Sequence, residues 1–306
     1  MKLPKIFLLG SVLLFGAISA VAIFKKEKKP AHPVVAAPQK VASQAPSPKI
    51  VPPAAALEGD LPEIDRIHQL FTKGTTKLPI VETITYSSKV SWLKGRPAWI
   101  ADYAVFYATS RHFIARALNG KPDYFNQRVA EGSQFNVFRR DKNFQFYLVV
   151  DASLCKMGFY YVDLDTKERV LLKTYSIGLG KQGTLPAGQY TLGDKVAIYR
   201  SGDWGLFREK SVEMITVFGT RWIPFNEAKG LGIHGVPWEK LGQETLIEKR
   251  DLIGTYASDG SVLMDTQDLE ELFSIVITKP THVVVVQNFK DAHLPGMEVA
   301  SPRRQN

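Results

Sequence analysis

The longest apolar run of the chain, Ile6 to Phe24, comes first, broken by nothing more polar than Gly10, Ser11, Gly16 and Ser19. At 1.5 Å per residue a helix of this length reaches about 28 Å, close to the hydrocarbon thickness of a bilayer, so the pattern predicts a membrane segment over residues 6–24. From Pro30 to Leu57 periodicity disappears. The stretch is almost entirely Pro, Ala, Val, Ser, Gln and Lys, with seven prolines and no acid, a composition that can neither continue a helix nor pack a core. It reads as a spacer with a reach on the order of 80 Å when extended.

Apolar positions return after Leu61. Trp99 to Tyr107 has helical spacing, and Thr109-Ser110 offers N-cap chemistry to a second helix, His112 to Leu118, which ends at Asn119-Gly120. Strands are expected on either side, at Val90–Leu93 and over Gly132–Phe138. Beyond Phe144 the pattern changes to short strand-like runs: 146–150, 157–162, 170–177, 189–192, 214–218 and 282–287. Turn residues separate nearly all of them, and one clear helix, Thr266 to Ile275, has Asp265 as its cap. Short strands with few helices predict a mainly β fold, a curved sandwich or barrel. The segments so defined are 1–29, a membrane anchor or signal; 30–60, a linker; 61–140, a small α+β domain; 144–288, the β domain; and 289–306, a flexible tail.

Charge changes the picture less than its total suggests. The formal net charge is +9, but residues 1–57 hold eight lysines and one acid, so only +2 remains for the rest. The lysines flank an apolar segment or sit in a linker, whereas nucleic-acid binders cluster them on a folded face or arm; nucleic acid is not expected as a partner. Lys2 and Lys5 on one side of residues 6–24 and Lys25, Lys26, Lys28 and Lys29 on the other leave the orientation open under the positive-inside rule. An uncleaved anchor facing the periplasm is the favoured reading. Cleavage near Ala20-Val21-Ala22 and export is the other. The single cysteine, Cys155, excludes an internal disulfide, and the six histidines have no metal-ligand spacing. No metal or cofactor is expected.

The order strand, helix, helix, strand in 61–140 resembles the LysM module, with Gly95, Trp99, Tyr107, Thr109, Ser110, Leu118, Asn119, Gly132, Phe135 and Val137 as counterparts. The resemblance implies an N-acetylglucosamine-containing glycan as ligand, contacted by Gly95, Thr109, Ser110 and Asn119. A helical hairpin that merely packs on the next domain is the alternative. His112 reads as a surface or half-buried residue.

From Phe146 to Gln287 the landmarks resemble the L,D-transpeptidase (YkuD-like) catalytic domain. Leu148-Val149-Val150-Asp151, Tyr175 to Gly180 and Thr184 to Tyr190 precede Gly232-Ile233-His234-Gly235, and then Ser258-Asp259-Gly260-Ser261-Val262-Leu263-Met264 stands where the family has Ser-His-Gly-Cys-Ile-Arg-Met. The resemblance implies a site that binds peptidoglycan stem peptides, in which a thiolate attacks a peptide carbonyl and backbone N–H groups of the turn hold the oxyanion. Asp259, Ser261 and Leu263 occupy the positions of the family's histidine, cysteine and arginine. A serine hydroxyl is far less acidic than a thiol and needs a positioned base.

Ser261 with His234 as base and Asp259 as orienter completes a nucleophilic triad on paper, with Gly260 in the turn and Gly235, Ser258 and Val262 beside the substrate. The 23 residues between His234 and Ser258 are more than the family usually has. Three readings follow: a peptidoglycan-binding relative with weak or no cross-linking activity, an active acyl transferase or peptidase using Ser261, and a structural envelope protein. Cys155, far from the turn, reads as a buried small hydrophobe. His282 and His293 read as structural or solvated; Trp204, Trp222 and Trp238 read either as the lining of a cleft or, as is commoner for aromatic residues in a β domain, as core.

Overall fold

The computed structural model describes residues 55–56, 61–120, 129–181, 184–198, 210–241 and 245–299. The expected membrane segment, all of the linker except 55–56, and Trp204 lie outside them. Among the described residues no helix is long and apolar enough to cross a membrane.

After β1 (Ala55–Ala56) and the four-residue helix α1 (His68–Phe71) come β2 (Val81–Thr85), α2 (Ile100–Phe106), α3 (Arg111–Asn119) and β3 (Gln134–Phe138). Both expected helices form. Ser110 caps α3 by accepting the Phe113 N–H at 2.9 Å, and Gly120, at φ +75°, ends it in the left-handed region that glycine tolerates. The strand expected over Val90–Leu93 is not one. β3 pairs antiparallel with β2, Val81 opposite Phe138, while Val90, Trp92 and Leu93 pack as a turn on the cluster around Tyr86, Tyr103 and Phe135. A short apolar run has the same composition in a packed turn as in a strand.

Three long strands follow, β4 (Phe144–Asp151), β5 (Lys156–Asp163) and β6 (Glu168–Ser176), paired as an antiparallel meander. Next come β7 (Leu179–Gly180), β8 (Gly188–Thr191), β9 (Val196–Ala197), helix α4 (Lys210–Phe218), β10 (Arg221–Pro224) and β11 (Gly232–Gly235). The hairpin β12 (Trp238–Leu241) and β13 (Thr245–Glu248) and a 3-10 turn at Arg250–Leu252 lead to β14 (Tyr256–Ser258), β15 (Val262–Met264) and helix α5 (Thr266–Val276). β16 (Thr281–Val286), β17 (His293–Leu294) and β18 (Met297–Glu298) close the chain.

The main sheet runs β18-β6-β5-β4-β16-β8, with β16 parallel to β4 and Val283 opposite Leu148. A second sheet runs β15-β11-β10-β9. Phe146, Leu148 and Val150 of the first share one core with Ile223, Ile233, Val262 and Met264 of the second and with Leu269, Leu272 and Phe273 of α5. The opposite face of the main sheet is covered by Leu61, Phe289, Ala292 and Leu294 over Val149, Tyr160 and Val284. Burial on both faces explains why these strands are nearly continuous apolar runs. The architecture is mainly β with few helices, and the described residues contain no closed barrel.

Residues 214–218, expected as a strand, form the second half of α4. Their β-branched composition suggested a strand, yet burial follows a helical period: Ile215 and Phe218 turn inward with Trp238, whereas Met214 and Val217 are exposed. Residues 289–299 were expected as tail. They are packed instead, with Phe289, Ala292 and Leu294 buried and Arg169 donating to the carbonyls of Leu294 and Gly296 at 3.2 and 3.1 Å. Nor does the core stop at residue 140, since Phe113 and Phe138 lie in the same cluster as Phe144 and Phe146.

Candidate active site

The centre of the site is the edge where β15 joins β11 in parallel, with Ile233 opposite Val262 and His234 opposite Leu263. Ser261 immediately precedes β15, beside the start of β11. The register thus unites two motifs separated by 23 intervening residues. On its other side β15 is held by Gly178, which exchanges two backbone hydrogen bonds with Leu263, at 2.9 and 2.8 Å.

The turn that presents Ser261 is braced from within. Ser258 Oγ donates to the Ser261 carbonyl at 2.6 Å and accepts from the Gly260 N–H at 3.3 Å. Gly260 has φ +119°, a conformation that disfavours any side chain. β7 pairs in parallel with β14, and a Cβ on Gly180 would overlap the Gly260 backbone and Thr184 Oγ1. The Gly178-Leu179-Gly180 segment therefore serves as the seat of the turn that carries Ser261. Its glycine spacing was the one sequence signal of this, but spacing alone reads equally as an ordinary hairpin turn.

His234 is 8 % exposed, enclosed by Phe218 edge-to-face at 5.4 Å and Trp222 at 5.6 Å. Of the tryptophans read as cleft lining or core, Trp222 packs on this histidine. The Nδ1 of His234 lies 2.8 Å from the Gly235 carbonyl. A carbonyl only accepts, so Nδ1 carries the proton and the lone pair is on Nε2. Burial pushes the His234 pKa down from its ordinary value, against the opposing pull of that hydrogen bond. The imidazole is consequently neutral near pH 7 and in the tautomer of a general base.

Other expected roles change. Asp259 is exposed, and among the described residues it makes no hydrogen bond to His234; the Gly235 carbonyl orients the ring in its place. Nor is Ser261 Oγ hydrogen-bonded to His234, although Ser261 is only 7 % exposed. Val262 is wholly buried, so its side chain belongs to the core and not to a substrate surface. Gly235 and Ser258 act by positioning the histidine and the turn.

Of the expected glycan contacts, Gly95 and Asn119 are exposed, but Thr109 and Ser110 are 1 % and 4 % exposed. Thr109 Oγ1 accepts the Phe138 N–H at 2.9 Å, and Ser110 Oγ donates to the Ser274 carbonyl at 2.5 Å. Their hydroxyls are committed to docking the helices onto α5 and β3, which removes them from any glycan surface. His112 is likewise buried, edge-to-face on Phe273 at 5.3 Å. Cys155 is buried in the main core, where burial pushes its thiol pKa up.

The part of the chain that carries this geometry is similar to known proteins. Residues 145–285 match the YkuD family model, the L,D-transpeptidase catalytic domain. Among solved structures, Bd1075 from Bdellovibrio bacteriovorus is similar, at 16% identity and a TM-score of 0.32 over 47% of this chain and 48% of that one. The helical cell shape determining protein Pgp2 from Campylobacter jejuni is similar at 15% identity and a TM-score of 0.33 over 51% of each chain. The chain thus spans about half the length of the solved structures it matches. No curated protein matches the chain.

Proposed function

We propose that this protein is a cell-envelope, peptidoglycan-binding protein of the L,D-transpeptidase type, whose groove engages stem peptides while Ser261 leaves cross-linking weak or absent. The reading rests on one observation above the others: the frame that would present a nucleophile is complete, from the β11–β15 register to the Ser258 brace, the Gly180 seat and a neutral His234, and at its apex is a hydroxyl. Serine without a bonded base is a poor nucleophile. Residues 6–24 would hold the protein at the membrane, as an anchor facing the periplasm or as a leader removed on export.

A second reading, acyl transfer or peptide hydrolysis by Ser261, is favoured by the His234 tautomer. The Nε2 lone pair is on the imidazole edge not used by Gly235, and a bound substrate that closes the Ser261–His234 gap would allow proton transfer from the hydroxyl. Intact-mass spectrometry of the full chain after incubation with disaccharide tetrapeptide separates the two. The wild type should carry no adduct and Ser261→Cys should carry one, because the groove persists and only the thiol is missing. An adduct on the wild type that vanishes in Ser261→Ala would make the protein a working serine enzyme, and no adduct on any variant would remove the stem peptide as ligand.

A further inference from the structure

Two tight turns from distant parts of the chain flank the Gly260-Ser261 turn. On one side Gly180 backs onto the Gly260 backbone, and the next residue, Lys181, donates its N–H to the Ser258 carbonyl at 3.4 Å. The Thr184 hydroxyl closes this turn by donating to the Lys181 carbonyl at 2.6 Å. On the other side a Cβ on Gly260 would lie 3.0 Å from Leu231 Cδ2, and Leu231 ends a turn closed by its N–H on the Ala228 carbonyl at 3.0 Å. Each turn carries one exposed lysine, Lys181 and Lys229 respectively. Neither forms an ion pair among the described residues. Other cations of this half of the chain are matched: Lys249 by Glu239 at 3.2 Å, Arg250 by Glu248 at 2.6 Å and Arg221 by Glu270 at 3.4 Å.

The strands beneath the turn supply no fixed positive charge. β11 is Gly-Ile-His-Gly with its histidine neutral, and β15 is Val-Leu-Met, with Leu263 only 1 % exposed. Of the nearby acids, Glu227 is occupied by the Thr191 N–H and hydroxyl, both at 2.7 Å, while Asp259 is exposed on the turn itself. Two unpaired ammonium groups that bracket one turn raise the local concentration of an anion there. A peptide attacked at the carbonyl before its last residue brings such an anion, because its terminal carboxylate lies one residue from the reacting carbon. We propose that Lys181 and Lys229 are specificity-determining residues of this site, which receive the terminal carboxylate of the stem peptide from either side of Ser261. Lysine suits the task, since its flexible stem lets a point charge follow the carboxylate from a turn outside the strands. Asp259 opposes the pair, so the preference reflects two cations against one acid. The inference rests on the stem-peptide reading and not on whether Ser261 reacts.

Calorimetric titration of the full chain in detergent micelles with disaccharide tetrapeptide and with its C-terminal amide tests this. The wild type should bind the free acid about tenfold more tightly than the amide, the difference a charge-assisted contact makes. Lys181→Gln and Lys229→Gln should each reduce that preference, and the double variant should bind acid and amide alike, with the melting temperature unchanged because both side chains are exposed. Lysine-to-arginine replacement at both positions should keep the preference, and Asp259→Asn should enlarge it. A wild type that binds acid and amide equally, or a double glutamine variant that still prefers the acid, would overturn the proposal and leave the stem-peptide reading standing. Binding of neither ligand to the wild type would overturn both.

Discussion

His234 shows how burial and one backbone hydrogen bond define a residue's chemistry. Enclosure by Phe218 and Trp222 lowers its pKa, so the folded state binds fewer protons than the unfolded chain below the ordinary histidine value of 6.5. His282, half-buried and stacked on Tyr147 at 4.9 Å, is shifted in the same direction, chiefly by desolvation. A depressed pKa contributes stability that is present above 6.5 and lost as the pH falls through the folded value. The urea midpoint should therefore drop between about pH 7.5 and pH 5.5, and His234→Gln should flatten that dependence. An unchanged slope in the variant would refute the assignment. At the same scale, Gly180 and Gly260 are needed because backbone meets backbone at the turn that carries Ser261.

At the scale of elements, the helical hairpin α2–α3 is a docking device. Ser110 joins two roles in one hydroxyl, accepting the Phe113 N–H as the α3 cap and donating to the Ser274 carbonyl on α5. Thr278 Oγ1 adds a bond to the Ala108 carbonyl at 2.9 Å. Replacing Ser110 by alanine removes a cap and leaves a buried carbonyl short of a donor, which should cost about 1–2 kcal/mol. Chemical denaturation measures this directly, and a loss below about 0.5 kcal/mol, the lower bound for a lost cap, would show that the contact contributes little. Because α5 begins directly after β15, the same contact anchors the far end of the element that carries Val262 to Met264. The hairpin β12–β13 accounts for much of the long interval between the two motifs, and its Trp238 packs with Ile198 and Ile215 beside the histidine wall.

For the molecule as a whole, all described residues fall within one unit, Val51–Asn306. The main core takes Ile67, Leu70, Phe113 and Phe138 from one side of residue 140 and Phe144, Phe146 and Phe273 from the other. Phe138 lies 5.4 Å from Phe144 and 5.9 Å from Phe146, ring to ring. A core without a seam unfolds without one, so calorimetry of the full chain should give a single transition with equal van't Hoff and calorimetric enthalpies. Two separated transitions would mean that residues 61–140 fold as an independent module.

Much of this was legible from the residues alone. The strands at 146–150, 157–162, 170–177 and 282–287 and the helix capped by Asp265 follow from apolar periodicity and cap chemistry, which are local properties. The neighbourhood of the two motifs, Gly232–Gly235 beside Val262–Met264, was open to motif order, because landmarks in a fixed sequence imply a fixed topology. What required tertiary structure was every decision made by a distant partner. Packing against Trp238 and Ile198 turned 214–218 into helix, a sheet face drew in 289–299, and docking onto α5 buried Thr109 and Ser110. The oxygen that orients His234 was likewise beyond reach, since main-chain carbonyls are the same at every position and only the folded backbone says which one meets a side chain.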